Sequence, residues 1–274
     1  MAWSLQERVS GRSAEVDRRR PLMFFALVFV LTLPLYVLSP LVTLPGMPKN
    51  GPPLDFVGAF MPMTAALILT GRSEGRRGVR MLLRRALDFR RIPSRAWILP
   101  ILLLMPAIYL STAAVVHLTG LHVPGQPALS LSTMAVFVPV YFLAATGEEL
   151  GWIGYATEPL WSRFGPVAAS LIIGVPWWAW HIPSMLSSDE TSLLIALGLF
   201  ASLALRVIYV WIFGGTGSVA AAIAIHAVTN VSASSVPSVP TNLAAPLLLA
   251  VAVAIAVKWT RERRPLPTSS PERS

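Results

Sequence analysis

The sequence predicts an all-α polytopic membrane protein of about eight transmembrane helices, with a cytoplasm-facing cavity between helices four to seven. Three observations predict it. The first is composition: 54% of the 274 residues are hydrophobic and only 13% are charged, half of the ~25% charged residues usual in soluble chains. Mean hydropathy is +0.64. An ordinary soluble enzyme and a disordered chain are both excluded by these values. The second is a series of eight long apolar runs. The third is the distribution of charge between them.

The runs fall at about 21–44, 53–70, 97–118, 131–155, 166–186, 192–213, 217–236 and 241–259. Most are long enough to cross roughly 30 Å of hydrocarbon as helices. The first follows an arginine-rich start and suggests a signal peptide. It is too long for that and lacks a small-residue cleavage site, so it is read as a retained span. Pro34, Pro62, Pro106, Pro139 and Pro176 lie inside the first five runs. In water they would argue against helix, but a membrane bundle accommodates kinks. The division follows: 1–20 a basic cytoplasmic segment, 21–128 the N-terminal helices with a basic loop at 71–96, 129–236 a catalytic-type core, 237–260 the last helix, and 261–274 a cytoplasmic tail.

Net charge is +9, from 22 Lys+Arg against 13 Asp+Glu. With eight crossings, 20 of the basic residues fall on one side and 1, Lys49, on the other. The remaining one, Arg206, is inside a span. This is the positive-inside pattern, with both termini cytoplasmic. It accounts for the basic balance without nucleic acid. The run from Arg72 to Arg95 lacks interleaved aromatics and is read as a topology signal in contact with anionic lipid. The 20 Arg against 2 Lys fit a GC-rich bacterial source, hence the inner membrane. The absence of cysteine excludes disulfides, thiolate metal sites and cysteine nucleophiles.

Ionisable residues inside a membrane are costly and point to function. Here they are Glu148 and Glu149 late in run four, His181 in run five, Arg206 in run six and His226 in run seven, joined by Asn230. Asp55, His117 and His122 lie at span ends and read as interfacial. His226 and Asn230 are i,i+4 and share a helix face, as do Trp177 and His181. Glu148, Trp152 and Tyr155 form an i, i+4, i+7 stripe from which Glu149 is rotated by about 100°. Taken singly, each histidine suits an interhelical hydrogen bond. Together, a buried glutamate can act as base toward water, and histidine and asparagine can donate to an oxyanion. Alternatively, Glu148, His181 and His226 supply three ligands to a divalent metal such as zinc.

Three segments resemble the motifs of the CPBP (Abi) family of intramembrane proteases, which includes the CAAX prenyl endopeptidases. They are Gly147-Glu148-Glu149-Leu150-Gly151-Trp152-Ile153, Trp177-Trp178-Ala179-Trp180-His181, and His226-Ala227-Val228-Thr229-Asn230, the last preceded by Thr216-Gly217-Ser218. The resemblance spans roughly 130–235. It implies peptide-bond hydrolysis near the cytoplasmic face. Glu148 would be the base that activates water, His181 its partner, Glu149 a supporting carboxylate, and His226 with Asn230 the oxyanion site. No cofactor is required by the preferred metal-free description, though the sequence does not choose between that and a metal. The substrate would be a membrane-anchored protein or peptide.

The arginine usual in the first motif is Ile153 here, and Trp177 stands where phenylalanine is usual. Arg206 is the cation left inside the spans. It is expected to replace the motif arginine and pair with Glu149 or Glu148, or else to snorkel toward its helix end. Two other functions stay open: a catalytically impaired scaffold or bacteriocin self-immunity protein, and a transporter relaying protons. No inverted repeat encourages the transporter.

Overall fold

A computed structural model describes residues 19–39, 55–121, 131–188, 190–236 and 240–262. These residues are helical, with no strand among them. The principal helices are α1 (Pro21–Leu38), α2 (Met61–Arg84), α3 (Ile98–Thr119), α4 (Leu131–Gly151), α5 (Glu158–Ser187), α6 (Ser192–Thr216), α7 (Val219–Ser235) and α8 (Ala245–Glu262). Short helical turns at Asp55–Gly58, between Arg85 and Trp97, and at Thr241–Ala244 fill parts of the connections.

Over its described residues each apolar run is helical, but the spans do not separate into eight. Among the described residues, six stretches are long and apolar enough to cross a membrane, and α7 is a shorter apolar helix. Runs four and five fuse because a π-helical segment, Trp152–Thr157, joins α4 to α5 without a break. Pro159 sits in the first turn of α5, where its missing N–H costs nothing. The bend comes later, at Gly165, whose φ of 81° few other residues tolerate. The basic stretch read as a loop is mostly helix: α2 runs through to Arg84. This helical content and hydropathy identify an integral membrane protein. Arg8, Arg12, Arg18, Lys49, His122, the Asp55 side chain and the C-terminal tail lie outside the described residues. His117 is exposed at the end of α3.

The core lies where α5 packs along α6, α4 along α7, and α6 along α8. Small residues set the closest approach. Gly147 and Gly151, four apart on α4, face the start of α2. A methyl group at Gly147 would lie 2.6 Å from the Ala59 carbonyl oxygen, and one at Gly151 2.6 Å from that of Pro62. This small-xxx-small spacing brings two backbones together and encloses Glu148 and Glu149 between its glycines. Gly151→Ala is expected to force the helices apart and cost about 1–3 kcal/mol or more, the usual range for overpacking. A fall in unfolding temperature in detergent checks it.

The turn between α6 and α7 is two residues long. Gly217 (φ 65°) closes α6, with its N–H bonded to the Phe213 carbonyl oxygen at 2.7 Å. Ser218 caps α7 by accepting from the Ala221 N–H at 3.0 Å. Asp88 adds a second cap, accepting from the Ala220 N–H at 2.9 Å and the Ser218 hydroxyl at 2.8 Å. The helix carrying His226 is thereby anchored to the segment after α2.

Candidate active site

Glu149 has no solvent exposure, and all of its strong contacts are to other helices. Arg206 of α6 grips it with both nitrogens: Nη1 donates to Oε2 at 2.9 Å and Nη2 to Oε1 at 2.8 Å. His226 of α7 meets Oε1 through Nδ1 at 2.7 Å. Bidentate guanidinium–carboxylate pairing is the strongest such geometry, and burial leaves it unscreened. The guanidinium also lies 3.9 Å from the centre of the Trp177 ring, in cation–π range. Ile153 is fully buried among apolar groups. A cation from another helix therefore meets the carboxylate that would otherwise stand uncompensated.

Glu148 is held differently. Its Oε2 accepts from the Trp177 indole N–H at 2.7 Å, and it is 6% exposed. Trp177 also accepts a bond at its carbonyl oxygen from His181 Nδ1, at 2.8 Å. One tryptophan thus fixes both a candidate base and a candidate partner. The second bond settles the histidine tautomer: a carbonyl only accepts, so Nδ1 of His181 carries the hydrogen. Neutral His181 then presents a lone pair at Nε2. His226 likewise uses Nδ1 toward a carboxylate. Its Nε2 can donate to an oxyanion only as imidazolium.

Asn230, one turn beyond His226, is half-buried, and its side chain has no hydrogen bond among the described residues. It remains available to a ligand. His181 is also half-buried, whereas His226 is 3% exposed. The carboxylates and His226 of the expected cytoplasm-facing cavity are therefore buried in this structure, with His181 and Asn230 at the more accessible side. Sealing follows from aromatic packing, with the Tyr209 ring stacked on His226 at 5.2 Å between centroids.

Among the described residues, the close carboxylate–imidazole group is Glu148, Glu149 and His226, whose ligand atoms lie within 4.8 Å of one another. This differs from the metal set expected from sequence, because Glu149 takes the place of His181. A divalent cation fits this set poorly. Both Glu149 oxygens are taken by Arg206, and the guanidinium places a fixed positive charge against them.

The Trp152 indole N–H has no hydrogen-bond partner among the described residues, and its ring reaches the site only through Trp180, at 6.3 Å between centroids. The π segment begins at Trp152 and breaks the α-helical register on which the stripe depended. Trp152 packs instead on Phe24 and Phe25 of α1, at 5.2 and 6.0 Å between centroids. Its role is core packing.

Several residues near the site carry no motif. Tyr209 donates to the Thr229 hydroxyl at 2.9 Å; its i,i+3 spacing from Arg206, matched by Thr229 from His226, could have suggested it. Below the carboxylates, the Gly154 carbonyl oxygen in the π segment accepts from Arg85 Nη1 at 2.8 Å and Arg19 Nη1 at 3.0 Å. Both arginines also bond Glu158, at 3.1–3.3 Å. A π turn frees carbonyls from the α-helical ladder and recurs at functional sites. This clasp fixes it. Arg85→Met is expected to cost roughly 1–3 kcal/mol, since it strips a nearly buried carboxylate of a partner. Glu158→Gln should cost less, as the amide oxygen still accepts. Thermal unfolding of both variants in detergent checks the order.

Residues 130–232 match the family model described as Rce1-like, type II CAAX prenyl endopeptidase. A relative, CAAX prenyl protease 2 of Methanococcus maripaludis, is 35% identical over 130 residues, covering 46% of this chain and 48% of that protein. Both matches fall on this helical core, which is similar to CAAX proteases. The chain spans about half the length of the curated relative it matches. The CAAX-protease match covers α4 to α7, the helices that bring Glu148, Glu149, His181, Arg206 and His226 together. The remaining helices frame that core.

Proposed function

We propose that the chain is an intramembrane endopeptidase that hydrolyses a peptide bond near the cytoplasmic membrane face with water activated by Glu148. One observation carries this reading: two adjacent buried carboxylates have been given different tasks by their partners. Glu149 is saturated by Arg206 and His226, so it serves as a fixed negative charge. Glu148 has one oxygen held by Trp177, which leaves Oε1 to take a proton.

The chemistry follows from these residues. Water donates one hydrogen toward Glu148 Oε1 and the other toward the lone pair on His181 Nε2. Glu148 takes the proton as the water oxygen attacks the peptide carbonyl carbon. Asn230 Nδ2 and the imidazolium Nε2 of His226 donate to the resulting oxyanion. The C–N bond then breaks, and Glu148 returns its proton to the leaving amine. No step requires a metal. The impaired-scaffold alternative rests on the missing motif arginine, and Arg206 supplies a cation to that carboxylate.

The substrate is a membrane-anchored protein or peptide. The name of the archaeal relative makes a prenylated CAAX peptide the first one to assay. The positive-inside pattern supports a reading with both termini in the cytoplasm, in a bacterial inner membrane. The test is cleavage of prenylated and unprenylated peptides by the purified protein, with and without a strong chelator. Cleavage that persists in chelator supports the reading. Loss of cleavage that zinc restores would assign the chemistry to a metal. No cleavage of any membrane peptide, with Glu148→Ala unchanged in cells, would favour the scaffold.

A further inference from the structure

Helix α2 is bent. Gly75 has φ 66° and ψ −161°, which divides it into arms 61–74 and 76–84. Few residues other than glycine adopt that conformation. The bend brings the arms together: a methyl group at Gly71 would lie 3.6 Å from a methyl of Val79. Inside the elbow is a groove of about 560 Å³.

The lining is sorted into two rows. Arg76, Arg80 and Arg84 succeed one another every four residues, as do Val79, Leu83 and Leu87. Such spacing places each row along one helix face. The three arginines are exposed, and none has a hydrogen bond or ion pair among the described residues. Leu83 and Leu87 are 42% and 74% exposed. The opposite face is already used: Leu82 is buried and lies 3.1 Å from where a methyl group on Gly154 would be.

Neither row suits water. Like charges at i,i+4 repel each other, and the leucines are uncovered. A single occupant resolves both problems if it has an anionic head and an apolar tail. A free phosphate would leave the leucines bare, and a zwitterionic lipid would leave the charge uncompensated. We propose that the elbow of α2 is a binding site for an anionic phospholipid. Its phosphate is held by Arg76, Arg80 and Arg84, and an acyl chain lies on Val79, Leu83 and Leu87. The element is an interfacial amphipathic helix joined to a span.

The test uses the delipidated full chain in neutral detergent, titrated with dioleoyl phosphatidylglycerol and read by native mass spectrometry. Saturable binding is expected. Each arginine near an anionic surface contributes roughly fivefold, so R76Q/R80Q/R84Q should weaken binding at least tenfold. A control triple, R72Q/R77Q/R90Q, removes the same charge from exposed positions outside the groove and should stay within about threefold. Leu83→Gln with Leu87→Gln should also weaken binding while leaving every charge in place. Equal loss in both arginine triples would overturn the site in favour of diffuse attraction. Phosphatidylcholine binding as tightly would reduce it to apolar contact. Glycerol phosphate binding as tightly would make it a free-anion site. An acidic peptide that displaces the lipid at lower concentration would assign the groove to a protein.

Discussion

Glu148→Gln is expected to lower kcat for peptide cleavage by about a hundred- to ten-thousand-fold, the usual worth of a general base, while the protein folds and unfolds as the wild type does. The reasoning turns on what glutamine keeps. Its side-chain oxygen can still accept the Trp177 indole N–H, which reaches Glu148 at 2.7 Å, so the local packing has no cause to change. What disappears is the capacity to take a proton from water. KM should change little, because no substrate contact is removed. Glu149→Gln should behave in the opposite way. Its carboxylate neutralises a guanidinium with no solvent exposure, and losing that charge leaves Arg206 buried and uncompensated. That variant should be unstable first and inactive as a consequence. Retention of more than a tenth of the activity in a folded Glu148→Gln protein would remove Glu148 from the chemistry.

Arg206→Met should be among the most destabilising single substitutions in the chain, by about 3–5 kcal/mol, the typical penalty for orphaning one member of a buried pair. Both partners are fully buried, so neither water nor salt can substitute. Combining it with Glu149→Gln should recover much of the loss, because the charge left behind is then removed as well. The coupling is read as a double-mutant cycle of unfolding free energies. Arg206→Lys should fall between, since one ammonium cannot occupy both 2.8 and 2.9 Å contacts of the fork. Strict additivity of the two substitutions would show that the pair contributes nothing.

These predictions also mark what was legible in the chain. Relations along one helix read well, because the helical repeat turns a sequence spacing into a direction. His226 with Asn230 and Trp177 with His181 were visible as pairs for that reason. Arg206 was visible through cost alone: a cation among apolar residues must meet an anion, and the carboxylates without a motif arginine were candidates. Relations between helices were not legible. Nothing in the spacing says that Trp177 holds Glu148 while Arg206 holds Glu149, since that depends on how α4, α5 and α6 rotate about their axes. The π segment is not legible, because nothing in the spacing marks a departure from the α-helical period at Trp152. The Gly147–Gly151 spacing was available but was read only as part of a motif. Glu158 and Arg85 looked like ordinary charges near a span end, and their meeting at the Gly154 carbonyl needs the fold.

The counterion of Glu149 comes from a helix about 57 residues further along the chain. Had it stood at position 153, the carboxylate and its cation would have entered the membrane together on one segment. Here the two enter separately. A lone charged group costs on the order of 2.5–3.5 kcal/mol at the centre of an inserting helix, and less toward its end, where Glu149 lies in α4. During synthesis, α4 therefore carries an uncompensated charge until α6 has emerged and docked. Settlement of α4 in the bilayer is thus tied to the later arrival of α6. Nascent chains stopped before residue 192 should leave α4 shallow or accessible, and chains extended past 216 should bury it. The swap of one arginine between helices would then have left the site electrically unchanged while altering the order in which the membrane protein can be assembled.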